Sequence, residues 1–251
     1  MTHPRKFVRL LRLGALGIFV VFAFAIVPIQ IEQHLLRRRA ERLLSDIRSL
    51  DIGRATLSDA QNLSRKWKPF AHFKGNCTEA ACTLEISWQD FYFRNLGLFI
   101  RLNRLNILHP FMLAGGRPEQ ITARVSVEKG LVSGKGFYVV LGVPAYQAAE
   151  GWWPDYALLA DAYSVSGFSG GGHQPSPQHP DFLVGRPGGC DGPCRQVYFI
   201  FSASADSATV NRFMQIDLSC LTRWIRPCRV EGDIMPAAWA QYKLDYPHTE
   251  N

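Results

Sequence analysis

The feature that most constrains this chain is an uncharged stretch of nineteen residues near its start, residues 13–31. An α-helix rises about 1.5 Å per residue, so this stretch would span about 28 Å, close to the thickness of the hydrocarbon core of a bilayer. Four basic residues precede it, as in an export signal: Arg5, Lys6, Arg9 and Arg12. The sequence therefore predicts an N-terminal transmembrane helix, a signal anchor, after a cytoplasmic tail of residues 1–12.

A cleaved signal peptide is the competing interpretation of the same stretch. Ala23, Phe24 and Ala25 fit the small-x-small pattern that precedes cleavage. However, the apolar run continues to Ile31 without a polar region, which favours an uncleaved anchor. Both alternatives remain open at the level of sequence.

The basic charge of the chain is concentrated around this stretch. Residues 1–50 contain nine Lys or Arg and three Asp or Glu, whereas residues 51–251 contain 19 and 18. A nucleic-acid-binding domain needs a basic surface on its folded part, because phosphate neutralisation supplies much of its affinity. We therefore expect no nucleic-acid partner. The expected partners are the lipid bilayer and an unknown envelope protein.

Charge alone does not orient the anchor, since arginines also follow it closely: Arg37, Arg38, Arg39, Arg42 and Arg48. The tail before the anchor is too short for a domain, and six cysteines in close pairs favour an oxidising compartment. We therefore expect a single-pass membrane protein whose C-terminal domain lies outside the cytoplasm, on the periplasmic side.

Residues 32–70 are predicted to be a helical juxtamembrane segment. Apolar residues continue at helical spacing up to Leu50, and a second helix is expected over residues 58–67, ending before Pro69. The arginine triplet of residues 37–39 would either reach lipid headgroups or face water.

Residues 71–251 are predicted to form an α+β domain with a mostly antiparallel β-sheet and a few helices. Apolar and polar residues alternate over residues 82–88 and 121–128, as in strands with one buried face. Lys129 and Gly130 are expected to form a turn that leads into a partner strand within residues 131–141. Residues 197–201 are apolar throughout, which predicts a strand covered on both faces.

The rest of this domain is less regular. Asp206 is expected to cap a helix that starts near Ser207, and the periodicity after Gln215 fits both a strand and a helix. Residues 91–113 are apolar but contain three arginines, which suits core packing better than a membrane interface. Residues 167–193, rich in glycine and proline, are expected to form one long loop without secondary structure.

Three short motifs suggest catalysis, but each fails on its context. Ser169 lies in a G-x-S-x-G pattern, yet the residues after it cannot form the helix that a nucleophile elbow requires. Ser126 and Lys129 match S-x-x-K, but a strand would point them to opposite faces. Lys135 follows glycines as in a phosphate loop, with the wrong spacing and without the required Ser or Thr. We predict no catalytic and no cofactor-binding residue.

A metal site is suggested by His173 and His179, with Asp181, Cys190 and Cys194 close in sequence. Structural zinc sites need two tight pairs of ligands, and histidines of exposed loops are usually only solvated. We therefore expect no metal and no cofactor.

The spacing of the six cysteines suggests three disulfide bonds, although sequence alone cannot choose among the possible pairings. The suggested pairs are Cys77 with Cys82, Cys190 with Cys194, and Cys220 with Cys228. Each closes a short loop whose residues favour chain reversal. The alternative is a set of free or buried thiols.

Three segments, residues 41–67, 75–86 and 217–239, resemble a family of N-terminally anchored bacterial membrane proteins of unknown function, of the kind found in acidobacteria. The resemblance implies an anchor and paired cysteines, and it assigns no catalytic residue.

Two functional hypotheses follow. The first is a noncatalytic envelope protein, in which a single-pass anchor presents the α+β domain for interaction or for a structural role. The second is an envelope hydrolase with its site near residues 167–193.

Overall fold

The computed structural model describes residues 4–89, 116, 119–143, 156–165, 182–185, 194–201, 205–223, 228 and 230–245. Within them the chain is an α+β protein, as the sequence predicts, built from a seven-stranded sheet and helices packed on it. The predicted segment 91–113 lies outside the described residues, as do residues 167–181 and 186–193 of the predicted loop.

Helix α1 (Pro4–Arg48) has 45 residues and includes the predicted anchor, residues 13–31. Its last part confirms the helix expected after residue 32, and its buried side chains, Leu36, Ala40, Leu43, Leu44 and Ile47, recur every three or four residues. In the part of the chain that the structure describes, no helix is both long enough and apolar enough to cross a bilayer.

Helix α2 (Leu57–Lys66) confirms the second predicted helix. Thr56 caps its first turn, because its side chain accepts a hydrogen bond from the Asp59 backbone while the Asp59 carboxylate accepts one from the Thr56 backbone. This reciprocal capping box satisfies donors that a helix start otherwise leaves unpaired. The helix ends at Trp67, just before Pro69.

The sheet has the strand order β1-β2-β3-β4-β5-β7-β6. Neighbouring strands are antiparallel except β5 and β7, which are parallel. The strands are β1 (Ala71–Lys74), β2 (Ala81–Gln89), β3 (Glu119–Glu128), β4 (Leu131–Val143), β5 (Tyr156–Val165), β6 (Phe182–Gly185) and β7 (Cys194–Phe201).

The predicted alternation of β2 and β3 is confirmed by their burial. Their apolar residues lie opposite one another in the register and are buried on one face, for example Leu84 against Val125 and Ile86 against Ala123. Helices α1 and α2 contact this face of the sheet, and their apolar side chains belong to the same buried core. One face of the sheet is therefore covered by helices.

The predicted turn at Lys129 and Gly130 connects β3 to β4. Both residues have positive φ angles, 53° and 77°, as in the two-residue hairpin turn whose twist matches that of the flanking strands. The expectation that Lys129 lies on the strand with Ser126 is wrong, because β3 ends at Glu128 and Lys129 belongs to the turn.

The expectation of one structureless loop over residues 167–193 is also wrong. Phe182–Gly185 form β6, which pairs with β7. The four residues are too few to show a period, and the strand is stabilised by its neighbours. The Phe182 ring stacks on Phe199 at 5.4 Å between centroids and contacts Phe213 at 4.9 Å.

The C-terminal part contains α3 (Ser207–Phe213), a short 3-10 helix (Ser219–Thr222), a second 3-10 turn (Glu231–Asp233) and α4 (Pro236–Asp245). The side chain of Asp206 accepts a hydrogen bond from the Thr209 backbone and caps α3, as predicted. The ambiguous segment after Gln215 is neither a strand nor a continuous α-helix, since only the 3-10 helix forms there.

Candidate functional site: a groove along α1

A groove follows one face of α1 where the helix meets α2 and the edge of the sheet. It has two adjoining cavities, of about 420 Å³ and about 360 Å³, which share Arg39 and Phe70. We call the first the basic end and the second the apolar end. The basic end is lined by Arg39, Arg42, Ser45, Asp46, Lys66, Trp67, Pro69 and Phe70, and the apolar end by Pro28, Ile31, Glu32, Leu35, Leu36, Arg39, Phe70, Trp88 and Gln89.

The spacing of residues along α1 explains why several of its side chains line the same groove. Six of the α1 side chains that line it occur at steps of three or four residues, so they lie on one face of the helix. They are Pro28, Ile31, Leu35, Arg39, Arg42 and Asp46, and the remaining three, Glu32, Leu36 and Ser45, are each adjacent in sequence to one of them. The apolar end thus lies towards the predicted anchor, and the basic end lies one to three helical turns further into the domain.

The opposite wall is formed by the end of α2 and by the sheet. Pro69 follows the helix, and the backbone N–H groups of Phe70 and Ala71 both donate to the carbonyl oxygen of Trp67, at 2.8 and 3.0 Å. This turn leads directly into β1 and places the Phe70 ring beside α1. The groove is therefore built by a helix end, a tight turn and a strand, all of which are fixed by backbone hydrogen bonds.

Asp46 organises the basic end. Its carboxylate accepts a hydrogen bond from Lys66 Nζ at 2.8 Å through one oxygen and from Trp67 Nε1 at 2.9 Å through the other. The charge of Lys66 is consequently balanced within the protein. This pair also ties the end of α2 to α1.

Arg39 and Arg42 are not balanced in this way. Arg39 lies over the Phe70 ring, 5.8 Å from its centroid, an arrangement in which the ring face attracts a cation. Among the described residues, neither arginine has a carboxylate within ion-pairing distance. The basic end thus presents two guanidinium groups whose charge no carboxylate of the described residues pairs with.

Three aromatic rings form the floor between the two ends. Trp67 and Trp88 are stacked at 5.6 Å between centroids with nearly parallel planes, and Phe70 lies 5.6 Å from Trp88. Trp88 is only 5% exposed, and within the described parts of the chain its Nε1 has no hydrogen-bond partner. A buried indole N–H usually finds an acceptor, so this donor remains unsatisfied within the described residues.

A second polar cluster lies at the other end of the same helix. Lys135, on β4, is 7% exposed and donates from Nζ to the carbonyl oxygens of Arg48 at 3.0 Å and Leu50 at 2.7 Å. Arg48 in turn donates to the carbonyl oxygen of Met214. The last carbonyls of a helix have no partner within the helix, so Lys135 satisfies groups that would otherwise be orphaned.

The environment of Lys135 lowers its pKa. Burial is the main cause, the charge of Arg48 acts in the same direction, and the nearby Asp51 opposes both. Because both carbonyls that receive its hydrogen bonds belong to the chain itself, the role of Lys135 is to fix α1 to the sheet. A lysine within an apolar strand was a sequence signal that this side chain could be buried, but it does not identify the carbonyl oxygens that Lys135 binds.

Two of the three suggested disulfide bonds are present in the described residues. Cys77 is bonded to Cys82, with Cα atoms 4.4 Å apart, and closes the turn between β1 and β2. Cys220 is bonded to Cys228, with Cα atoms 4.9 Å apart, and closes the segment that follows the short 3-10 helix. For the third pair, Cys194 begins β7 and Cys190 lies outside the described residues.

The other candidate residues of the sequence analysis lie outside the described residues: Ser169, His173, His179 and Asp181. Within the described ranges, no group of three or more His, Cys, Asp or Glu side chains is arranged to hold a metal ion. No local pattern of the sequence identifies the groove, although the arginines of residues 37–39 are candidates for lipid contact.

Comparison of the chain with family models, with curated proteins and with solved structures gives no match.

Proposed function

We propose that this chain is a single-pass membrane protein of the cell envelope, whose α+β domain is a noncatalytic interaction or structural module outside the cytoplasm. The observation that carries the proposal is the contrast along α1. Its C-terminal part is buried in the core, whereas large apolar side chains are exposed along its N-terminal part: Leu13, Leu16, Val20, Phe24, Val27 and Ile31.

Exposure of this kind is unfavourable in water. Burying one large aliphatic or aromatic side chain contributes roughly 1.5–3 kcal/mol of hydrophobic free energy. Six exposed side chains therefore leave on the order of 10 kcal/mol of stabilisation unrealised in water. Phe24, at 78% exposure, and Leu13, at 66%, are close to the extreme case. A bilayer would remove this cost, since residues 13–31 carry no charge and would match its thickness.

The position of the domain outside the cytoplasm is supported by the disulfide bonds Cys77–Cys82 and Cys220–Cys228. Disulfides persist in oxidising compartments and are rare in the cytosol. With this orientation residues 1–12 form the cytoplasmic tail. The partners in this proposal are the bilayer and a further envelope protein, and the proposed relatives are N-terminally anchored bacterial envelope proteins.

Membrane fractionation tests the anchor. The full chain, expressed in a bacterium, is expected to remain in the membrane after extraction with alkaline carbonate. The double variant Val20→Arg and Phe24→Arg places two charges in the proposed span, at a cost of roughly 2.5–3.5 kcal/mol each near its centre, and is expected to be extracted. Extraction of the unmodified chain would contradict the anchor.

A reporter fused after Asn251 tests the orientation. An enzyme that is active only outside the cytoplasm is expected to work at this position, and one that is active only in the cytoplasm is expected to fail. The opposite pair of results would place the domain in the cytoplasm and would contradict the proposal.

A further inference from the structure

We propose that the groove along α1 binds an anionic phospholipid of the leaflet from which α1 emerges, with its phosphodiester headgroup held by Arg39 and Arg42. This inference rests on the proposed membrane anchor. In addition to the anchor, it assigns a class of lipid and a binding site for it. Binding of that lipid would hold the domain against the bilayer surface.

The groove has the polarity that such a lipid requires. Its apolar end is lined by Pro28, Ile31 and Leu35, and its basic end by Arg39 and Arg42. A phospholipid lying beside the helix would place the top of an acyl chain at the apolar end and its phosphate near the basic end. The lining also includes Glu32 at the apolar end and Asp46 at the basic end, but Asp46 is already occupied by Lys66 and Trp67.

The position of Arg39 along the helix axis is also consistent with binding to a lipid phosphate. If the hydrocarbon core ends near Ile31, Arg39 lies about 12 Å further along the helix axis, just beyond a headgroup layer roughly 5–8 Å thick. Side chains of an α-helix point towards its N-terminus, which here is the direction of the bilayer. Arginine side chains readily extend to the headgroup level in this way, so the Arg39 guanidinium can reach back to phosphate oxygens, and Arg42, about one turn further along the helix, adds its charge at a longer distance.

The aromatic floor supplies a further contact. The Nε1–H of Trp88 is buried beside the apolar end without an acceptor in the described residues. Ester and phosphate oxygens of a phospholipid are acceptors. Tryptophan is also enriched at the level where lipid headgroups meet acyl chains.

Thermal unfolding of the full chain in a nonionic detergent tests the proposal. Phosphatidylglycerol is expected to raise the unfolding temperature, and phosphatidylcholine is expected to have much less effect. The double variant Arg39→Gln and Arg42→Gln should need about 30-fold more phosphatidylglycerol for the same shift, which corresponds to ~1 kcal/mol for each arginine. Equal shifts with both lipids would overturn the proposal.

The matched control is the double variant Arg38→Gln and Arg54→Gln. It removes the same charge from two exposed arginines that do not line the groove, and one of them is adjacent to Arg39. It is expected to respond to phosphatidylglycerol as the unmodified chain does. An equal loss in the control would show that lipid binding follows overall charge and would refute a site in the groove.

Two further measurements separate the remaining explanations. Trp88→Phe keeps an aromatic ring and removes the donor, and it is expected to weaken the phosphatidylglycerol response about fivefold. Glycerol phosphate, the soluble headgroup, is expected to have little effect, because it lacks the acyl chains that fill the apolar end. If it stabilises the chain as well as the lipid does, the site binds free phosphate and the lipid assignment is wrong.

Carbonate extraction of every variant distinguishes failure of this inference from failure of the anchor. Variants of the groove should stay in the membrane and lose only their lipid preference. A chain that is extracted by carbonate would contradict the anchor itself, whatever its response to lipids in detergent.

Discussion

The two halves of α1 have the same backbone conformation and different surroundings. Leu43 and Ile47 are fully buried between the sheet and the C-terminal segment, whereas Leu16 and Phe24 are mostly exposed. Both halves are rich in apolar residues, so apolar content alone does not distinguish them. The distribution of charged residues does, because the C-terminal half has charged residues beside a buried apolar stripe, whereas residues 13–31 carry no charge.

One continuous helix thus passes from the packed core into a part where its apolar side chains are exposed. Lys135 and Lys66 attach the second half to the sheet and to α2 through hydrogen bonds. The helix continues from the domain into its first half through Pro28, which cannot donate a backbone hydrogen bond. The groove lies along this junction.

The largest expected effect comes from truncating one equivalent side chain in each half. Leu43→Ala is expected to lower the free energy of unfolding of the domain by about 2–5 kcal/mol, because it leaves a cavity in a packed core. Leu16→Ala is expected to change it by less than about 0.5 kcal/mol. Urea unfolding in detergent measures both, and similar losses for the two variants would show that the halves are not different.

A smaller effect is expected from Lys135→Met, which keeps the length of the side chain and removes its donors. The carbonyl oxygens of Arg48 and Leu50 would lose these hydrogen bonds, at a cost of about 2–3 kcal/mol. Lys129→Met, in the exposed hairpin turn, is the matched control and should be nearly neutral. If both variants unfold alike, Lys135 does not hold the end of α1.

Removal of the second disulfide tests how α1 is covered on its other side. Arg37 of α1 donates to the Thr222 hydroxyl at 3.0 Å, next to the loop that Cys220 and Cys228 close. The double variant Cys220→Ser and Cys228→Ser is expected to cost about 1–2 kcal/mol, less than the roughly 3 kcal/mol of a fifteen-residue loop. Hydrogen exchange should rise in the C-terminal half of α1. Unchanged hydrogen exchange in the C-terminal half of α1 would show that the loop closed by this disulfide does not stabilise the helix.

The smallest effect concerns pH. The pKa of Asp217 is lower than its usual value. Burial alone would raise this pKa, but hydrogen bonds from Ser219 and the charges of Arg223 and Arg37 lower it by more. The carboxylate therefore stabilises the fold above its ordinary pKa near 3.9, and this contribution is lost as the pH falls through the lower folded-state pKa. Asp217→Asn should flatten the decline of the unfolding temperature below about pH 4. An identical decline in both proteins would exclude Asp217 as a contributor.

Local patterns were sufficient for several elements. The alternation over residues 82–88 and 121–128 predicts β2 and β3 because a period of two is a direct consequence of strand geometry. The turn at Lys129 and Gly130, the cap at Asp206 and two cysteine pairs also follow from residues close in sequence. Each of these predictions depends on interactions that span fewer than about ten residues.

Other elements depend on distant residues and were missed for that reason. Strand β6 has four residues and is defined by its pairing with β7 and by the ring of Phe213. The parallel pairing of β5 with β7 leaves no local pattern at all. The groove joins residues 28–46 to Trp67, Phe70 and Trp88, which become neighbours only when α2 packs on the sheet.

The sequence by itself determined the length and apolar character of residues 13–31 and the α+β class, and its spacing suggested the pairs Cys77–Cys82 and Cys220–Cys228, because these depend on composition and short-range geometry. Only the tertiary structure decided that Lys135 binds the end of α1 and that, among the described residues, Arg39 and Arg42 have no acidic partner and Trp88 Nε1 no acceptor. Those facts depend on which side chains meet across the core. Hydrogen bonding and burial are properties of such contacts, and no local pattern in the chain encodes them.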